Sequence, residues 1–260
     1  MKFYTFGDPQ KPVILLLPGT CCHWLGNFGA VIPLLEPDFY GVCVSYDGFD
    51  ETEHTVFPDM LCETAKIEAY IRQNCGGHIC AAYGCSMGGS LVGLLVQRQK
   101  IRIDHAILGS SDLDQSAPLP ARLQGRLVSK ILYGMFQTGR MPGWMQKRLD
   151  RKTPEQRAYM DPMLKMFGVG SRDRAFIQKE SIYNQFYSDL VTPLGEGIDA
   201  PGTTVHIFYA LKMGEKYEKR YRRHFKNPDI RRHDLQHEEL LVCQPEHWAA
   251  EVRRCCGIEA

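Results

Sequence analysis

From Lys2 to Leu108 the chain alternates short apolar runs with longer amphipathic stretches, and this rhythm limits its fold more than any other feature. Residues 2–6, 12–17, 40–46, 78–83 and 103–108 are strand-length runs rich in β-branched, aromatic or other apolar side chains. Helical patterns lie between them at 24–35, 58–74 and 87–99. In the second, Met60, Leu61, Ala65, Ile67 and Ile71 recur at helical spacing, and Gly76-Gly77 ends the run. Asp47-Gly48 marks a turn after the third strand. Strands separated by helix-length connections pair in parallel, and a parallel sheet needs helices on both faces.

The rhythm then breaks. Residues 116–195 show helical periodicity and no strand, with candidate helices at 121–136, 143–149, 154–167 and 172–190. It resumes with a strand at 203–210, a basic helix at 215–225, a strand at 229–235 and a helix at 245–255. The expected organisation is an α/β core of residues 1–115 and 196–260, carrying a helical cap of residues 116–195.

Charge separates these parts. The whole chain carries +1, which argues against a dedicated nucleic-acid binder. Between Ser116 and Gly195, however, 13 Lys and Arg face 6 Asp and Glu. Six of the ten methionines also lie there, and methionine suits surfaces that repack around varied apolar ligands. Met135 and Met163 are therefore candidate pocket residues, and an apolar substrate with an anionic end is expected. The basic run at 212–226 also holds Glu215, Glu218, Tyr217, Tyr221 and Phe225, so it reads as an amphipathic helix with a solvated face.

No run is long enough to span a bilayer, and the first residues lack the apolar stretch of a secretion signal, so a cytoplasmic location without stable membrane insertion is expected. Ten cysteines include no Cys-x-x-Cys pair, and they read as small buried thiols; no metal or other cofactor is expected. Asp47, Asp50 and Glu51 read as a strand-end turn, not as glycosidase or metal carboxylates.

The sharpest chemical signal is Gly84-Cys85-Ser86-Met87-Gly88, set between a strand and a helix. A serine there sits on a tight turn that exposes its hydroxyl and directs amides of the helix start at a developing negative charge. With this motif, its strand order and the site of its helical insertion, the chain resembles the α/β-hydrolase superfamily over nearly its whole length. The resemblance implies a mostly parallel sheet with an inserted helical cap. It implies Ser86 as nucleophile and the amide of Met87 in an oxyanion hole. The second amide comes from Leu17-Pro18-Gly19-Thr20-Cys21-Cys22, where Pro18 replaces the usual His and Thr20 takes the donor position. Cys21 and Cys85 flank these donors and become candidate substrate contacts. The base is implied in the loop after the last strand, where His237 stands. The acid is implied after the penultimate strand, where Glu215 is the only carboxylate, with Asp112 as the alternative from the loop after the strand at 103–108.

The implied activity is hydrolysis of an ester or thioester of a small, largely apolar acyl substrate. Acyl transfer or C–C cleavage would use the same triad, and a non-catalytic receptor would use the same scaffold. Ser86 argues against epoxide-hydrolase and dehalogenase chemistry, which needs Asp at that position. Oligomeric state is not legible.

Overall fold

A computed structural model describes residues 1–258. The first half runs β1 (Lys2–Phe6), β2 (Val13–Leu17), α1 (Trp24–Phe28), α2 (Ile32–Leu35), β3 (Tyr40–Ser45), α3 (Met60–Asn74), β4 (His78–Gly84), α4 (Met87–Arg98) and β5 (Arg102–Leu108). Four helices follow without a strand: α5 (Pro118–Thr138), α6 (Gly143–Leu149), α7 (Pro154–Met166) and α8 (Lys179–Val191). The chain returns through β6 (Thr204–Ala210), α9 (Lys216–His224), β7 (Asp229–His233), α10 (Glu239–Cys243) and α11 (Pro245–Cys255).

The seven strands form one sheet in the order β1-β3-β2-β4-β5-β6-β7. All neighbours pair in parallel except β1, which runs antiparallel to β3 at the edge. Side chains alternate across it as a strand period requires. Leu15 and Leu17 of β2 join Val42 and Val44 of β3 on one face, against Ile67 of α3, Leu91 of α4 and Tyr221 of α9. Ile14, Leu16 and Cys43 join Phe28, Leu35, Leu241 and Trp248 on the other. Each fully buried side chain of this size stabilises the fold by roughly 1.5–3 kcal/mol. Phe136, Ile177, Ile182 and Leu194, all from the segment between β5 and β6, pack into the first cluster. The inserted segment is thus rooted in the core of the sheet through α5, α8 and the loops on either side of α8.

Local chemistry explains where the helices start and stop. Pro118 opens α5, and Gly139 ends it in the left-handed conformation. Thr153 and Gln156 form a capping box on α7. The helical pattern at 24–35 is interrupted by Gly29, Ala30 and Val31, giving α1 and α2. The pattern at 172–190 is helical only from Lys179, because residues 173–176 form turns that send Arg174 into the interior. Helix α10 has no counterpart among the expected elements.

Because β2, β4, β5, β6 and β7 are parallel, the loops that follow them gather on one edge of the sheet. The inserted helices touch the same edge, where Tyr159 of α7 donates to the His237 carbonyl at 2.9 Å.

Candidate active site

β4 ends at Gly84 and α4 begins at Met87, so Ser86 occupies the turn between them. Its φ of 51° and ψ of −114° fall where a residue with a side chain is strained. The turn is tight enough that a β-carbon on Gly84 would strike the Gly88 backbone, and one on Gly88 would strike the Leu17 carbonyl. Three hydrogen bonds hold it. The Gly88 amide donates to the Cys85 carbonyl at 2.7 Å, and the Gly89 amide to the Ser86 carbonyl at 2.8 Å. The Ser86 amide donates to Glu238 Oε1 at 2.7 Å.

The loop after β7 brings two side chains to Ser86 in succession. His237 Nε2 lies 3.2 Å from Ser86 Oγ, within reach for proton transfer. Glu238 adopts φ 55°, is 2% exposed, and accepts from the Tyr83 hydroxyl at 3.1 Å as well as from the Ser86 amide. Burial, reinforced by Glu238, raises the Tyr83 phenol well above its usual range. Glu238 was not anticipated from the sequence. Its adjacency to His237 was a signal, but nothing in the residue order announces its positive φ.

The loop after β2 is pinned by several hydrogen bonds. The Pro18 carbonyl accepts from Tyr46 at 3.1 Å, and the Gly19 amide donates to Asn27 Oδ1 at 2.9 Å. The Cys22 amide closes a turn onto the Gly19 carbonyl at 3.1 Å. Cys21, at φ 57°, is held on both sides by the inserted segment. Its amide donates to Gln185 Oε1 at 2.7 Å, and its carbonyl accepts from Arg174 Nη1 at 3.0 Å. Arg174 also donates to the Met166 carbonyl and is 7% exposed, with no carboxylate partner among the described residues. Burial lowers its pKa from the usual arginine value. Among the described residues the amides of Thr20 and Met87 have no hydrogen-bond acceptor. They are the two donors implied for the oxyanion hole.

Ser86 opens into a cavity of about 300 Å³ between the sheet edge and the inserted helices. Thr20, Cys85, Asp112, Met163 and His237 line it with Ser86; the Met87 side chain is buried outside its lining. Two expected contacts lie elsewhere. Cys21 is turned fully into the core, so Cys22 lines the wall in its place. Met135 is buried beneath a separate groove with Ile131 and Trp144, about one turn further along α5 than Leu132, which does reach the cavity. Glu215 is exposed at the start of α9 and does not line the cavity, whereas Asp112 does. Neither carboxylate hydrogen-bonds His237.

The charge of the wall is opposite to the expectation from the insertion. Asp112, Asp114, Asp189 and Glu238 line the cavity, and no Lys or Arg does. Asp114 pairs with Arg220, while burial, reinforced by Asp112, raises the Asp189 carboxyl to about 7. The cations of the inserted helices face elsewhere, so they give no grounds for an anionic substrate. The two thiols of the wall are held protonated: burial raises Cys22 to about 12, and burial with Glu238 raises Cys85 further.

Other acidic and histidine side chains have structural partners. Asp50 accepts from Tyr4 at 2.8 Å, and Asp47 pairs with Lys66 and the N-terminal amine. His224 contacts the Gly195 carbonyl at 2.7 Å, and His233 packs edge-on against Phe208. Among the described residues no group of three or more His, Cys, Asp or Glu is arranged to hold a metal ion.

No family model and no curated protein matches this chain. Solved structures do. A protein of Desulfitobacterium hafniense assigned to the alpha/beta hydrolase family aligns with a TM-score of 0.74 at 15% identity, over 97% of this chain and 99% of that one. A thermophilic esterase from Thermogutta terrifontis aligns with a TM-score of 0.72 at 17% identity, covering 97% and 91%. The enol-lactonase from Burkholderia xenovorans LB400 aligns with a TM-score of 0.68 at 14% identity, covering 98% and 96%. At such identities the likeness is one of fold.

Proposed function

We propose that this chain, whose fold is that of the α/β-hydrolases, is a serine hydrolase cleaving an ester or thioester of a small, largely apolar substrate. The observation that carries the proposal is the strained Ser86, with His237 Nε2 at 3.2 Å and two unpartnered amides beside it. His237 takes the Ser86 proton as Oγ attacks the acyl carbonyl. Negative charge forming on the carbonyl oxygen meets the Thr20 and Met87 amides, which need no reorganisation to receive it. Collapse breaks the bond to the leaving oxygen or sulfur, and His237 returns the proton to it. Water, deprotonated by the same imidazole, then releases the acyl group.

We assign the third role, orienting the His237 ring, to Asp112, because it shares the cavity with His237 and Glu215 does not. The acidic wall favours a neutral substrate, and its size suits a small one. The structural likeness to an esterase and an enol-lactonase supports acyl chemistry. Ten unpaired cysteines support a reducing, cytoplasmic setting.

A fluorophosphonate probe followed by mass mapping tests the proposal. The expected adduct lies on Ser86, is absent in Ser86→Ala and is strongly slowed in His237→Ala. Folded protein that takes up no probe would argue for a ligand receptor on the same scaffold.

A further inference from the structure

Four of the seven large apolar side chains left exposed among the described residues lie on α5 and α6: Leu119 at 69%, Leu123 and Leu127 at 61%, and Trp144 at 60%. The leucines recur every fourth residue, so they form one row along α5. The opposite face of α5 buries Ala121, Gly125 and Ser129, and a β-carbon on Gly125 would touch the Tyr183 ring of α8. The leucine row is therefore turned away from the protein by the packing of its own helix.

Cations accompany the row. Arg122, Arg126 and Lys130 each precede the next apolar residue of the row, about 100° around the helix, and form a parallel stripe. Residues 118–152 contain eight Lys and Arg and one acid, Asp150. None of the eight takes part in an ion pair among the described residues. The net +7 of the whole insertion resides in this one segment. Between α5 and α6 a groove is floored by Leu127, Ile131, Met135, Met141 and Trp144 and bordered by Lys130 and Arg140.

We propose that this face docks on an anionic lipid surface. The leucine row and Trp144 enter the acyl boundary, and the flanking cations meet headgroup phosphates. An apolar floor with a cationic border matches the layered chemistry of a phospholipid leaflet. A second copy of the chain is the poorer match, because docking like faces would oppose two uncompensated +7 segments. No helix among the described residues is long and apolar enough to cross a membrane, so the contact is peripheral. The proposal does not rest on the catalytic assignment, although α5 also contributes Gln124 and Leu132 to the cavity.

Sedimentation of the full chain with lipid vesicles tests it, without substrate. Vesicles of phosphatidylcholine mixed with phosphatidylglycerol should carry the protein down, less so at raised salt, and phosphatidylcholine alone should not. Arg122→Gln with Arg126→Gln and Lys130→Gln should weaken partitioning about a hundredfold. Leu123→Ser with Leu127→Ser should also abolish sedimentation while circular dichroism stays unchanged, as both sites are exposed. Tryptophan emission should shift to the blue on anionic vesicles, and Trp144→Phe should remove most of that shift. Failure to sediment on anionic vesicles overturns the proposal, as does equal binding to phosphatidylcholine. A dimer in light scattering that the leucine variant dissociates also overturns it.

Discussion

The loops at the carboxyl edge of the sheet are pinned by hydrogen bonds to their backbone, whereas residues 118–152 carry eight cations without an ion-pair partner among the described residues. The edge is negative where it meets the cavity, and the helices above it are positive on their outer face. Fixed backbone suits the first region, since an oxyanion donor displaced by an ångström loses most of its effect. Exposed side chains free to follow a surface suit the second. The edge meets the rest of the insertion at Cys21, whose amide and carbonyl are held by Gln185 and Arg174. A cover that only excluded water would not need to grip the backbone beneath it.

The largest expected effect tests whether chemistry is confined to the edge. Ser86→Ala should lower kcat by about 10⁴-fold or more on any activated ester. Leu123→Ser with Leu127→Ser should leave kcat on a water-soluble ester unchanged. Loss of activity in the leucine variant would erase the distinction between the two regions.

Next in size is the acid. Asp112→Asn should reduce kcat by about 10³–10⁴-fold, as loss of the group that fixes a catalytic tautomer does elsewhere, and Glu215→Gln should leave it unaltered. The reverse result would place the acid on α9.

The junction at Cys21 should show a smaller and more diagnostic effect. Arg174→Met should lower kcat about tenfold to a hundredfold with KM nearly constant, because it loosens an oxyanion donor and not a substrate contact. Arg174→Lys should recover little of this, since an ammonium lacks the fork that reaches both the Cys21 and Met166 carbonyls. A rise in KM alone would make Arg174 a pocket residue instead. Among substrates of equal length, a carboxylate-bearing ester should be cleaved at least about tenfold less efficiently than its neutral analogue, because the wall already carries like charge. A preference for the anion would mean that the cations above reach the cavity after all.

The smallest effect concerns stability. Burial, reinforced by Asp112, raises the Asp189 carboxyl from its ordinary value of 3.8 to about 7 in the folded chain. Between those values the folded state binds more protons than the unfolded one, so stability falls as pH rises through this window. Asp189→Asn should lack this decline and gain stability relative to the parent as pH rises from 4 to 8. Parallel melting curves across that range would show an Asp189 open to water.

The strands and the tight turn at Ser86 were legible because their signals are local. Apolar runs of strand length, and glycines flanking Ser86, bear their meaning within a few residues. Gln185 and Arg174 carried no such signal. Each lies more than 150 positions from Cys21, and an Arg in a basic segment looks solvated until its burial is seen. Composition misled in a similar way. The methionines and cations of the insertion share a sequence interval, yet Met163 faces the cavity, Met135 lies under the outer groove, and the cations line neither Ser86 nor His237. Helical patterns overran their true starts and ends at Gly29 and before Lys179, where tertiary contacts override local propensity.

Cys85 stands one residue before Ser86, and sulfur is intrinsically the better nucleophile of the two. Its thiol is fully buried where it borders the cavity, and burial together with Glu238 keeps it protonated. An electrophile entering the cavity would therefore meet an activated oxygen first, although a softer atom lies next to it in the chain. An alkylating agent would reach the exposed Cys62 on α3 more readily, although the hydrogen bond to Asp59 raises that thiol, and Ser86 would be left intact. The turn thus ranks two adjacent side chains by their access and ionisation, in the reverse of their inherent reactivity.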